Sequence, residues 1–171
     1  KSSGPVIVYW PALVDSKHIK EFVHINDKDV EILPTSQLEF DEIYYQKAPV
    51  ELEEIESGPE TEIYFGDLYG TRSGDKGGCA NLGVWSKEKK SYSFLYNYLT
   101  VSKLKELLPD LKRYKIERYE LANINSLNFY IHDILQDGVS SNNRKDGQAK
   151  SLGEYLRAKK IIVPASIIGE I

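Results

Sequence analysis

The sequence has no methionine and one cysteine in 171 residues. A lone cysteine excludes an internal disulfide, and a cysteine-poor chain suits a reducing compartment, so a cytoplasmic protein is expected. Three histidines and that cysteine, at their spacings here, leave no zinc signature, so no metal site is expected and the residues name no cofactor. No apolar run approaches the roughly 20 residues that cross a bilayer. No cationic n-region precedes an apolar h-region. Positive charge is in deficit as well. The net charge of -4 argues against nucleic acid and anionic membranes as partners, because both select basic surfaces. Without a methionine, and with Lys1 first, the chain reads as a fragment, a processed piece or the C-terminal part of a longer polypeptide.

What is present is ordinary for a globular protein: 41% apolar and 28% charged residues, in a length that fits one domain with or without an extension. Twelve tyrosines against five phenylalanines predict many half-buried positions with a polar rim.

Residues 6–10 read as a short strand between Pro5 and Pro11. Residues 15–23 read as a helix with Ile19, Phe22 and Val23 on one face and Asp15 or Ser16 as cap. Residues 30–33 read as a strand closed by Pro34. Residues 39–62 carry nine acidic side chains against Lys47 and read as a solvated linker, or as an acidic arm packed on a partner domain. A boundary near Gly58-Pro59 gives an N-terminal extension, 1–58, and a main domain, 59–171.

Beyond it, residues 63–68 alternate as a strand that enters a glycine-rich loop, and residues 80–85 alternate as a second strand. Residues 87–90 read as a charged turn and 92–98 as a helix. Thr100 caps a further helix with Val101, Leu104, Leu107 and Leu108 on one face, stopped by Pro109. Strands follow at 115–121 and 127–131, then a polar loop over 137–147. A helix capped by Asp146 buries Ala149, Leu152 and Leu156, and 161–163 form a last strand. Without its first strand this order is β-α-β-β-α-β, an α+β ferredoxin-like sandwich with an antiparallel sheet and helices on one face. Asn81, Trp85, Asn128, Tyr130 and His132 then fall on the second face.

The densest chemistry lies in the loop Thr71-Arg72-Ser73-Gly74-Asp75-Lys76-Gly77-Gly78. Glycines let successive backbone N–H groups converge on an anion, Arg72 can fork onto a carboxylate or phosphate, and Lys76 adds a point charge. The spacing is neither a P-loop nor a dinucleotide fingerprint. The structural alternative is a hairpin turn with Arg72 paired to Asp75. His132 is either a general base, with Asp75 as the acidic member of the site, or a buried histidine bonded to a neighbour such as Asp75 or Asn81. Cys79 is either a nucleophile or a small core filler.

Arg72-Ser73-Gly74-Asp75-Lys76-Gly77-Gly78, followed by Asn81-Leu82-Gly83-Val84, resembles the signature of the AtuA-like family of acyclic terpene utilisation. Glu117-Arg118-Tyr119-Glu120-Leu121 is similar to a second motif of that family, and Asn128-Phe129-Tyr130-Ile131-His132-Asp133-Ile134-Leu135 to a third. Gly138-Val139-Ser140-Ser141, Arg144-Lys145-Asp146 and Gly147-Gln148-Ala149-Lys150 resemble its loop before the last helix. The likeness runs from about residue 62 to 164 and implies the small C-terminal domain of a two-part protein whose larger upstream domain is not in this chain. Residues 8–13 look like the link region of fungal-type members. Bacterial members often carry an acid where Gly78 stands, so the resemblance gives no metal role to that position.

The resemblance implies work on branched acyclic terpenoids through acyl-CoA intermediates, without naming a chemical step. The expected site for an acidic or acyl-CoA-type metabolite joins Arg72, Ser73, Gly74, Lys76, Gly77, Asn81, Asn128 and Arg144, with His132 and Asp75 as candidate catalytic groups. The alternative is a non-catalytic oligomerisation or docking module that uses the tyrosine-rich sheet face. No complete triad or metal set marks a stand-alone enzyme, and a homo-oligomer is expected.

Overall fold

The computed structural model describes residues 12–32 and 49–168. They fall into two compact units, a small one within Trp10–Pro49 and a large one from Val50 onward. The strand expected at 6–10 lies outside the described residues.

The small unit is a hairpin, β1 (Glu21–Ile25) against β2 (Lys28–Ile32), with Ile25 opposite Lys28. Asn26 and Asp27 turn it with φ of 47° and 62°. Positive φ at both central residues matches the right-handed twist of the flanking strands, and Asn and Asp tolerate it. The helix expected over 15–23 is therefore a correction. Asp15 does cap, accepting from the Lys17 N–H at 3.1 Å, but only a 3-10 turn at Ser16–His18 follows. Phe22 and Val23 then enter β1, where β-branched and aromatic side chains suit the pleat.

The large unit opens with β3 (Glu60–Tyr64), one helical turn α1 (Phe65–Leu68), β4 (Gly70–Lys76) and β5 (Cys79–Trp85). Helices α2 (Lys89–Tyr98) and α3 (Val101–Leu107) lead to β6 (Ile116–Leu121) and β7 (Ser126–Ile131). Helix α4 (Leu152–Arg157) and β8 (Lys160–Pro164) complete it. The Thr100 hydroxyl accepts from the Lys103 N–H at 3.1 Å, the expected cap of α3.

The main sheet runs β4-β5-β7-β6, antiparallel throughout. β7 lies between β5 and β6, so β5, the two helices and β6 form a split β-α-β unit, and the fold is α+β and ferredoxin-like. Two details differ from the sequence reading. The strand expected over 63–68 stops at Tyr64, because Asp67 reaches back to the Tyr64 N–H at 3.0 Å and closes a helical turn. The outer strand beside β5 is β4, while β8 pairs with β3 in a separate ribbon.

The glycine loop expected over 71–78 is mostly strand β4, and this too is a correction. Only its last two glycines turn. Gly77 has φ 62°, which glycine adopts without steric cost. Gly78 touches the next turn so closely that a methyl there would lie 2.1 Å from the Gln136 carbonyl oxygen. Its own carbonyl accepts from the Leu135 N–H at 2.8 Å.

Alternation gives the sheet two unlike faces. Ala80, Leu82, Val84, Leu127, Phe129 and Ile131 are fully buried in one core cluster with Leu95, Leu99, Leu104 and Leu156 of the helices. The acidic segment is partly tied to this unit, since the Glu53 N–H donates to Ser93 Oγ at 2.8 Å and Ser166 Oγ donates to the Glu56 carbonyl at 3.2 Å.

Candidate functional site

Strand β4 presents two rows of side chains. Arg72, Gly74 and Lys76 share the open face with Asn81, Gly83 and Trp85 of β5, and Thr71, Ser73 and Asp75 point to the helix side. Arg72 and Asp75, three residues apart on one strand, therefore lie on opposite sides and cannot pair. Lys76 Nζ donates to the Asp75 carbonyl at 3.0 Å. Among the described residues the Arg72 guanidinium and the Lys150 ammonium have no hydrogen bond or ion pair.

Ser73 joins two distant stretches of the chain. Its hydroxyl donates to the Lys150 carbonyl and accepts from the Gly153 N–H, both at 3.0 Å. Asp146 holds the same stretch from behind, its carboxylate accepting from the N–H groups of Lys150 at 2.9 Å and Ser151 at 3.0 Å. It caps the turn before α4, not α4 itself. Between these anchors Ala149 is fully buried with φ 53°. A left-handed residue with a Cβ costs about 1 kcal/mol or more and persists only where its surroundings impose it. A methyl on Gly153 would lie 2.7 Å from Thr71 Oγ1, so α4 rests directly on β4. The Thr71 hydroxyl is buried there without a hydrogen-bond partner.

A groove of about 360 Å³ opens at this junction, lined by Thr71, Arg72, Ser73, Trp85, Lys150, Gly153 and Glu154. The Trp85 indole lies over Gly70, where a methyl would meet it at 2.2 Å. Glu154 is drawn toward Arg157 at 3.7 Å. The groove thus sets a guanidinium fork and an ammonium beside an exposed indole edge. Cations of that kind suit carboxylate or phosphate oxygens, and the indole suits a flat or apolar group.

The rest of the open face forms a second cluster. Asn81 Nδ2 donates to Asn128 Oδ1 at 3.3 Å. The rings of Tyr130 and His132 meet edge to face at 4.9 Å. The backbone N–H of His132 donates to the Lys115 carbonyl at 3.0 Å, and the ring Nε2, buried without a hydrogen bond, lies 3.4 Å from Glu117 Oε1. Glu117 also meets Lys115 Nζ at 2.7 Å and the Tyr119 hydroxyl at 2.8 Å. Lys115, then Tyr119, hold its carboxyl down to about 2, so it is ionised at every physiological pH. The Tyr130 phenol is pushed up, chiefly by its hydrogen bond with Cys79.

The structure distributes the expected site residues unevenly. Arg72 and Ser73 line the groove, and Gly74, Lys76, Asn81 and Asn128 occupy the open face. Gly77 serves the turn. His132 faces Glu117 at the far side of the sheet, with Asp75 on the helix side of β4. Arg144 lines a different cavity of about 160 Å³ with Asp110, Asp146 and Tyr155. Lys150, Trp85 and Thr71 of the groove were not among the expected site residues. Lys150 ends the Gly147-Gln148-Ala149-Lys150 motif, which was the available signal. Among the described residues no cluster of three or more His, Cys, Asp or Glu could hold a metal, and no helix is long and apolar enough to cross a membrane.

The family model for the AtuA ferredoxin-like domain matches residues 64–162. No curated protein and no solved structure matches the chain.

Proposed function

The chain belongs to the AtuA ferredoxin-like domain family, and from that premise we propose that it is the metabolite-binding C-terminal domain of an AtuA-like protein. Its ligand is an acidic or acyl-CoA-type metabolite of branched-acid or terpenoid catabolism, and a larger upstream domain completes the protein. The observation that carries this reading is the Ser73 clasp. It brings Arg72 and Lys150, cations from two separate motifs, to one groove beside Trp85. Two unpaired cations attract a carboxylate or phosphate, and a volume near 360 Å³ is at the small end for ligand sites. A cytoplasmic setting suits the lone reduced cysteine.

The test is a titration of the chain with coenzyme A and with a branched-chain acyl-CoA, read by calorimetry and by indole fluorescence. Binding that falls at least tenfold in Lys150→Ala and in Arg72→Ala, with folding intact by circular dichroism, is the expected result. Equal affinity in the wild-type chain and both variants would reject the groove as the site. A second reading, an assembly module, draws on the exposed Trp85, Tyr119 and Leu121 of the open face.

A further inference from the structure

The cavity of about 160 Å³ that holds Arg144 is separate from the groove. It takes Ser151, Leu152 and Tyr155 from the α4 region, where the groove takes Gly153 and Glu154. Three stretches of chain meet there: the 3-10 turn Pro109–Leu111 after α3, residues 144–146 and the start of α4. Leu111 and Leu152 are buried and give it an apolar wall.

Among the described residues its charged lining groups are Arg144, Asp110 and Asp146. The Arg144 guanidinium and the Asp110 carboxylate share the cavity, yet neither has a hydrogen bond or ion pair among the described residues. The Arg144 Nε is buried as well. Buried polar atoms are nearly always hydrogen-bonded, so a buried guanidinium nitrogen without a bond calls for a partner. The loop that carries it is already fixed. Asn142 Nδ2 donates to the carbonyls of Gly138 at 2.8 Å and Gly147 at 3.0 Å, and Asn142 Oδ1 accepts from the Arg144 backbone N–H at 3.0 Å. A site ordered before its ligand arrives loses less freedom on binding. Asp146 accepts from two backbone N–H groups. A carboxylate offers about four acceptor positions, so it keeps capacity for a further donor.

The charges select the ligand class. A simple anion would meet Arg144 but also two carboxylates. A simple cation would meet Asp110 and Asp146 but also the guanidinium. A zwitterion suits all three, because a guanidinium forks onto a carboxylate and an ammonium donates to carboxylates. The volume is close to the ~150 Å³ void that admits one benzene molecule, which leaves room for an amino acid with a small side chain. We infer that this cavity binds a small α-amino acid, its carboxylate on Arg144 and its ammonium on Asp110 and Asp146. Arg72, Lys150 and Trp85 take no part, so the inference stands apart from the metabolite groove.

An NMR titration of the ¹⁵N-labelled chain with L-alanine, acetate and ethylammonium tests it. The expected result is a saturable shift of the Arg144 Nε–H and of the Asp110 and Ser151 amides with L-alanine, and binding at least tenfold weaker for acetate and ethylammonium. Asp110→Asn and Arg144→Gln should each weaken L-alanine at least tenfold. Asp110 is exposed, so Asp110→Asn keeps the fold, checked by the unchanged amide spectrum elsewhere. Acetate binding as tightly as L-alanine would overturn the zwitterion assignment. L-alanine binding untouched by both variants would overturn the site. An Arg144 Nε–H that moves on Asp110→Asn without ligand and ignores L-alanine would show the two side chains paired to each other, and would overturn the inference outright.

Discussion

The two faces of the four-stranded sheet come from the same strands, residue by residue, and meet opposite surroundings. On the helix side Leu82, Phe129 and Ile131 belong to the apolar core, with no exposed surface. One residue along, Asn81 meets Asn128, and Tyr130 meets Cys79 and His132, in a polar layer on the outside. The helix side holds the fold together, since burying a large apolar side chain contributes about 2–3 kcal/mol. The open side contributes little to folding, because half-exposed polar groups exchange one set of hydrogen bonds for another.

The comparison breaks most visibly in the core. Phe129→Ala should lower unfolding free energy by about 3–5 kcal/mol, read as a reduced urea midpoint. Asn128→Ala, its neighbour on the other face, should cost less than ~1 kcal/mol in the same experiment. If the two variants were equally unstable, the division of labour between the faces would be wrong.

The junction of the faces is intermediate. Ser73→Ala leaves the Gly153 N–H without its partner and should cost about 1–3 kcal/mol. It should also loosen the 146–151 stretch, seen as faster amide exchange at Lys150 and Gly153. Ser73→Thr keeps the hydroxyl and should restore protection if its extra methyl is accommodated.

The smallest effect is electrostatic. The Glu117 carboxyl, held near 2 against an ordinary value of 4.5, binds its proton later in the folded chain than in the unfolded one. Its contribution to stability is therefore complete above about pH 4.5 and is lost as pH falls toward 2. An NMR titration of its side-chain carboxyl should show the low midpoint, and Lys115→Ala should move that midpoint upward.

Much of the architecture is legible in the sequence. Alternation in residues 80–85 and 127–131 is enough to mark both faces, because period two admits one division of side chains. Thr100 before a leucine-spaced run marks α3. Three features are not legible. Asn26-Asp27 is a two-residue turn signal, but the charged run before it imitates a helix. Residues 71–78 look like a loop because glycine and charge are rare in strands, yet at a sheet edge charges are useful, since they discourage further pairing. The contact of Ser73 with residues 77 and 80 positions along the chain depends on the whole fold, as does the left-handed Ala149. For that reason Arg72 appears in the sequence as a site residue while its groove partner Lys150 does not.

The most direct test of the claim that the β4–α4 groove binds a ligand is an amide and indole NMR titration of the chain with a branched-chain acyl-CoA. The prediction is a set of shifts confined to Thr71, Arg72, Lys150, Gly153 and the Trp85 indole N–H. Shifts centred on Arg144 or on His132, or none at saturating concentration, would contradict it.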